Sequence, residues 1–153
     1  MPEPQDPAIA VPKMRQILAA GQCCRLMVTG TSMVPFLRSG RDRVVLRAPQ
    51  GPARRGDIVF FQRPGGQYVL HRVHRRLPDG RYRICGDGQT VTEEVSPEAL
   101  IATVVALERD GRAFPAKNPL WRGLSLLWIA GLPLRRPMLA LLHKLWTMRR
   151  GRG

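Results

Sequence analysis

Two short apolar runs separated by Pro64-Gly65-Gly66 constrain this chain most. Ile58-Val59-Phe60-Phe61 lies on one side, and residues 68–75, with Val69, Leu70 and Val73, lie on the other. Both runs are β-branched or aromatic and too short to be isolated helices, and the Pro-Gly-Gly between them cannot continue either strand. The pattern predicts an antiparallel hairpin. Turn residues recur at Pro78-Asp79-Gly80, Gly86-Asp87-Gly88 and Asp110-Gly111, bounding further strands at 81–85 and 100–107. Upstream, 25–28 and 44–46 read as two more short strands. The expected fold is therefore mainly β (α+β), a body of short antiparallel strands.

Helical spacing appears only at the two ends. Residues 8–20 place Ile9, Met14, Ile17 and Leu18 on one stripe and stop at Gly21. From Asn118 onwards, Leu120, Trp121, Leu124, Leu127 and Trp128 repeat at helical intervals. After a break at 133–137, Met138, Leu141, Leu142, Leu145 and Trp146 do so again. The expected organisation is an N-terminal helical segment (1–24), a β-rich domain (25–117) and an amphipathic helical tail (118–153).

The chain has 153 residues, of which 44% are hydrophobic and 24% charged, so one domain with a modest core is expected rather than disorder. Its net charge of +14 suits nucleic acid, anionic lipid or acidic peptide. Arg135, Arg136, Arg149, Arg150 and Arg152 gather near the C-terminus, which favours a local surface role over a specific nucleic-acid groove. The tail has three readings: helices covering the open side of the β body, peripheral membrane contact through Trp, Leu and Arg, or docking of a partner or substrate precursor. Amphipathic helices usually face a core, which favours the first. The N-terminus lacks the basic start and apolar run of a signal peptide, and no segment reaches the ~20 apolar residues of a membrane span. The expectation is a cytoplasmic protein, with membrane contact only at the periphery. Cys23, Cys24 and Cys85 include no CxxC pair, so neither metal nor cofactor is expected, and an odd count suggests free thiols.

Three segments carry chemistry. In Gly30-Thr31-Ser32-Met33-Val34-Pro35, a glycine-flanked turn can expose Ser32 and leave backbone N–H groups for an oxyanion. Gly30 permits close approach of substrate, while Met33 and Pro35 fix the turn by packing. An ordinary turn between strand and helix would look the same. In Tyr68-Val69-Leu70-His71-Arg72-Val73-His74, strand alternation puts His71 with Val69 and Val73, and His74 with Leu70 and Arg72. A half-buried His71 suits a general base near neutrality, although a satisfied core histidine is the plainer reading. His74 is expected to be solvated. In Cys85-Gly86-Asp87-Gly88-Gln89, the Asp87 carboxylate can orient His71, or can simply cap its own turn. Glu93 and Glu94 lie within reach of the same loop.

Taken in order, these segments resemble the signal peptidase I superfamily, which includes the LexA-like self-cleaving repressors. Gly30-x-Ser32-Met33-x-Pro35-x-Leu37-x-x-Gly40 is similar to the nucleophile box, and Arg55-Gly56-Asp57-Ile58-Val59-Phe60 to the strand that follows it. Tyr68-Val69-Leu70-His71-Arg72-Val73 is similar to the base-bearing strand, and 82–88 to the Gly-Asp box. The likeness spans about half the chain and implies a serine endopeptidase acting on a peptide or protein substrate, with Ser32 as nucleophile. Many relatives use a lysine base, but Lys13, Lys117 and Lys144 all lie outside the boxes. The His-type branch of the family implies His71 as base instead. The implied acid is Asp87, with Glu93 as its rival.

Departures from the family pattern are a displaced Gly-Asp (Gly40-Arg41-Asp42), no side-chain oxyanion donor at Gly30, and no N-terminal anchor. Cleavage of a leader or signal-like segment is the leading expectation. A LexA-like self-cleaving regulator is disfavoured by the roughly 27 residues ahead of the first box, fewer than a DNA-binding domain needs. A non-catalytic peptide-binding module is disfavoured by retention of both Ser32 and His71. Nucleic-acid binding through charge alone ranks last.

Overall fold

A computed structural model describes residues 7–150, with side chains from residue 10 onwards. Residues 1–6 and 151–153, including Arg152 and most of the polar N-terminal segment, lie outside the described residues, as does the side chain of Ile9. The expected α+β, mainly-β fold is found. The described residues form eight strands in one antiparallel sheet, flanked by helices at both ends. In chain order they are α1 (Pro7–Ala19), β1 (Cys24–Met27), β2 (Asp42–Arg47), β3 (Ile58–Gln62), β4 (Tyr68–Arg76), β5 (Tyr82–Cys85), β6 (Glu93–Val95), β7 (Leu100–Arg109), β8 (Arg112–Pro115), α2 (Pro119–Ala130) and α3 (Arg135–Arg150). The sheet order is β1-β2-β7-β3-β4-β5-β6, with β8 added to β7.

The Pro-Gly-Gly hairpin forms as its sequence predicts, with Val59 opposite His71 and Phe61 opposite Val69. Opposed residues share a face, so pairing sorts the side chains into two cores. Ile58, Phe60, Ala102, Val44 and Leu46 face one way and pack under α1 through Val11, Met14 and Leu18. Val59, Phe61, Val69, Val73, Tyr82, Ile84 and Val95 face the other way. His71 belongs to this second face, and its ring centroid lies 6.1 Å from that of Phe61.

One expectation fails here. His74 is buried, 6% exposed, rather than solvated. The β4–β5 pairing slips between Val73 and Arg75, so His74 departs from simple alternation. It sits near the cationic side chains of Arg135, Arg72 and Arg55, and burial first, then those charges, pushes its pKa down to about 4.

The C-terminal helices are fastened to the body at several points, and one of them is built around a buried arginine. Arg72, fully buried, donates Nη1 to the Gly56 carbonyl (2.9 Å) and to Ser125 Oγ of α2 (2.7 Å). Its guanidinium lies 4.8 Å from the Phe36 ring centroid and 5.8 Å from that of Trp121. Phe36 in turn meets Trp121 and Trp128 edge-on. Asn118 caps α2 by accepting from the N–H groups of Leu120 and Trp121. No single helix among the described residues is long and apolar enough to cross a membrane.

Candidate active site

The Ser32 turn is anchored from beneath and stitched from the side. Gly30 takes φ +73, the left-handed region that glycine enters without strain. Met33 and Leu37 are buried in the first core, and Leu37 N–H closes one helical turn onto the Met33 carbonyl (2.9 Å). Ser32 is half-buried and Pro35 partly covered. The turn ends at Asp42, whose fully buried carboxylate accepts from Arg38 N–H and from the guanidinium groups of Arg41 and Arg109. Burial pushes the Asp42 pKa up, but these three partners reverse that and hold it well below the usual carboxylate range. The displaced Asp42 thus closes the loop that carries the serine.

The Gly86-Asp87-Gly88 loop lies against this turn. Gly88 N–H donates to the Ser32 carbonyl at 2.8 Å. A Cβ on Gly86 would lie 2.5 Å from the Ser32 carbonyl and 3.0 Å from His71 Nε2. A Cβ on Gly88 would lie 2.8 Å from the Thr31 carbonyl. Both glycines are therefore demanded by close approach, and Gly86 lies between the Ser32 backbone carbonyl and His71 Nε2. Among the described residues, no acceptor takes the backbone N–H of Ser32 or Met33.

The other ring nitrogen, His71 Nδ1, lies 3.1 Å from Glu93 Oε1. Arg63 clamps that carboxylate with two bonds, Nε to Oε2 (2.8 Å) and Nη2 to Oε1 (2.7 Å). Glu93 opens β6 and pairs with Ile84, which pairs with Val73, so Glu93 shares the His71 face. Asp87 goes elsewhere. Cys85 pairs with Arg72, whose side chain faces the opposite core, and Asp87 follows Cys85 with the same parity. Its two oxygens take Arg72 Nε (2.8 Å) and Nη2 (2.7 Å) in a fully buried fork. Of the two candidate acids, then, Glu93 meets His71 and Asp87 meets Arg72. Glu94 points away and pairs with Arg81 and Arg83.

His71 is 2% exposed. Burial lowers its pKa below the ordinary histidine value; Glu93 pulls it up, and Arg63 pushes it down. Glu93 is held below the usual range, chiefly by its hydrogen bonds from Arg63. The net result is a neutral imidazole with one nitrogen on a carboxylate and the other beside a serine turn. This arrangement can accept a proton from a hydroxyl and stabilise the imidazolium that forms.

Arg63 does not stand out as functional in the sequence, and Gly86 and Gly88 read there only as the turn that flanks Asp87. Arg63 next to Pro64 reads as a turn residue, and its role needs β6, which the polar Glu93-Glu94-Val95 run conceals. The back of the glycine loop is held by the C-terminal helices. Trp128 Nε1 donates to the Asp87 carbonyl (3.0 Å), and fully buried Arg135 donates Nη1 to the carbonyls of Gly86 (3.2 Å) and Gln89 (3.0 Å).

An eight-stranded antiparallel sheet that carries a serine turn beside a histidine strand defines a class of serine-peptidase-like domains. The chain belongs to the Peptidase S24-like family, whose model matches residues 3–107 and which lies within the LexA and signal peptidase-like superfamily. Its fold is thus that of a family of peptidases and self-cleaving proteins. No curated protein and no solved structure matches the chain.

Proposed function

We propose that the chain is a serine endopeptidase that removes a leader or signal-like segment from a peptide or protein, with Ser32 as nucleophile, His71 as general base and Glu93 as the acid that orients it. The observation that carries this reading is the convergence at Gly86, where His71 Nε2 faces the Ser32 turn while Nδ1 is held by Glu93. His71 Nε2 takes the Ser32 hydroxyl proton as Oγ bonds to the scissile carbonyl carbon. The carbonyl oxygen becomes an oxyanion facing the N–H groups of Ser32 and Met33. Collapse expels the amine, which takes its proton from the His71 imidazolium and leaves an ester on Ser32. Water, deprotonated by His71, then hydrolyses that ester. Asp87 has a supporting role, holding Arg72 and the glycine loop.

The test is processing of a precursor by wild type, Ser32→Ala and His71→Ala. Loss of cleavage in both variants is expected, and undiminished cleavage in both would sink the mechanism. The family match is equally compatible with self-cleavage. Intact mass after prolonged incubation separates the two: an unchanged chain argues for cleavage of another molecule, and a Ser32-dependent internal cut for self-cleavage.

A further inference from the structure

The tail's charge and the exposure of its last helix point to the same surface. From Gly111 to the C-terminus the chain carries nine lysines and arginines and no aspartate or glutamate. Within α3, Arg135 is buried against the body, but every residue from 140 to 150 is exposed. On a helical wheel, Met138, Leu141, Leu142, Leu145 and Met148 fall on one side, and Arg136, His143, Lys144 and Thr147 on the other. Leu141, Leu145 and Trp146 are each 45–57% exposed, and Leu120, Leu127 and Leu134 are 67–72% exposed. Arg150 lies over the Trp146 ring, 4.1 Å from its centroid. A single amphipathic helix of this length is marginal in water unless something covers its apolar side.

We propose that α3, with the exposed leucines of α2 and of the Leu132–Leu134 turn, docks on an anionic lipid bilayer. The docking does not depend on the peptidase reading. Charge selects this occupant: a second copy would bring two acid-free cationic tails together, whereas an anionic bilayer accepts leucines into its acyl boundary and arginines at its headgroups. Helix α2 and the segment after it match a membrane span only as a pair bent by 67°. The inner side of α2 is tied to the body through Ser125 and Trp128, which holds it in the interface rather than across it. Trp146 with Arg150 over its ring suits the headgroup level.

The experiment is sedimentation of the full chain with phosphatidylcholine vesicles, with and without phosphatidylglycerol, at physiological ionic strength. Wild type is expected to bind the phosphatidylglycerol vesicles at least about tenfold more tightly. The pair L141E/L145E, on side chains that touch no core, is expected to weaken that binding by about tenfold or more. Circular dichroism establishes that the variant is folded. Equal binding to both vesicle types, or undiminished binding by L141E/L145E, would overturn the proposal. So would a lipid-free dimer that L141E/L145E converts to monomer, since the apolar side would then belong to a second copy.

Discussion

Replacing Glu93 by glutamine separates the two candidate acids by kinetics. Glu93 accepts from His71 Nδ1 at 3.1 Å and is 28% exposed, so its charge is felt by a base that is nearly sealed from water. A charge-assisted hydrogen bond of this kind is worth about 1.5–3 kcal/mol, and the partial exposure of Glu93 favours the lower half. At about 1.4 kcal/mol per tenfold in rate, Glu93→Gln should lower the plateau rate of Ser32 acylation by about 10- to 40-fold. The assay is the rate of labelling by a serine-reactive acylating probe as a function of pH, which needs no natural substrate. Rate rises with pH as His71 loses its proton, and wild type should reach half-maximum below the ordinary histidine pKa. Glu93→Gln removes an upward pull on that pKa, so half-maximum moves to lower pH. Arg63→Met removes a downward push and frees the Glu93 carboxylate, so half-maximum moves to higher pH. Asp87→Asn should instead cost about 3–5 kcal/mol of stability by orphaning buried Arg72. An unchanged plateau and pH profile in Glu93→Gln, alongside a reduced plateau in folded Asp87→Asn, would refute the assignment.

Gly86→Ala puts a methyl 2.5 Å from the Ser32 carbonyl, so backbone must move; Ser32 acylation should fall about 10²-fold, read by the same labelling assay. Asp42→Asn should cost about 3 kcal/mol in urea unfolding, because Arg41 and Arg109 lose their buried partner. The Asp42 pKa is depressed, so its contribution is present above the unfolded carboxylate pKa and lost as pH falls through the folded one. The Asp42→Asn deficit should therefore persist from neutrality to about pH 4 and shrink only in stronger acid. His74 behaves oppositely, as a histidine buried neutral with a pKa of about 4. The unfolded chain protonates first, so stability should fall by about 3 kcal/mol between pH 6.5 and 4. His74→Gln should flatten that slope in pH-dependent thermal melts.

Much of the fold was legible in local pattern. Pro64-Gly65-Gly66 and the apolar runs beside it fix β3 and β4 within a residue, and alternation puts His71 on the Val69–Val73 face. Helix α1 follows from the spacing of Met14 and Leu18. What failed was what depends on long-range pairing. Strand β6 is too short and polar to announce itself, yet its pairing with β5 decides that Glu93 shares a face with His71. Asp87 looks like a turn cap or a triad acid until Arg72 is known to be buried beside it, and a buried arginine has no signature in sequence. His74 reads as solvated because neither the slip in the β4–β5 pairing nor its burial near Arg135 and Arg55 is visible in the local pattern. The spacing of α2 and α3 is visible, but not which side of α2 faces Arg72.

The account stands on Ser32 being activated by His71. Mass-spectrometric mapping of the acylating probe on wild type, Ser32→Ala and folded His71→Ala tests that most directly. The predicted result is one adduct on Ser32, absent in Ser32→Ala and formed at least about 10²-fold more slowly in His71→Ala. Adducts elsewhere in the chain with none on Ser32, or Ser32 labelled as fast without His71 as with it, would contradict it.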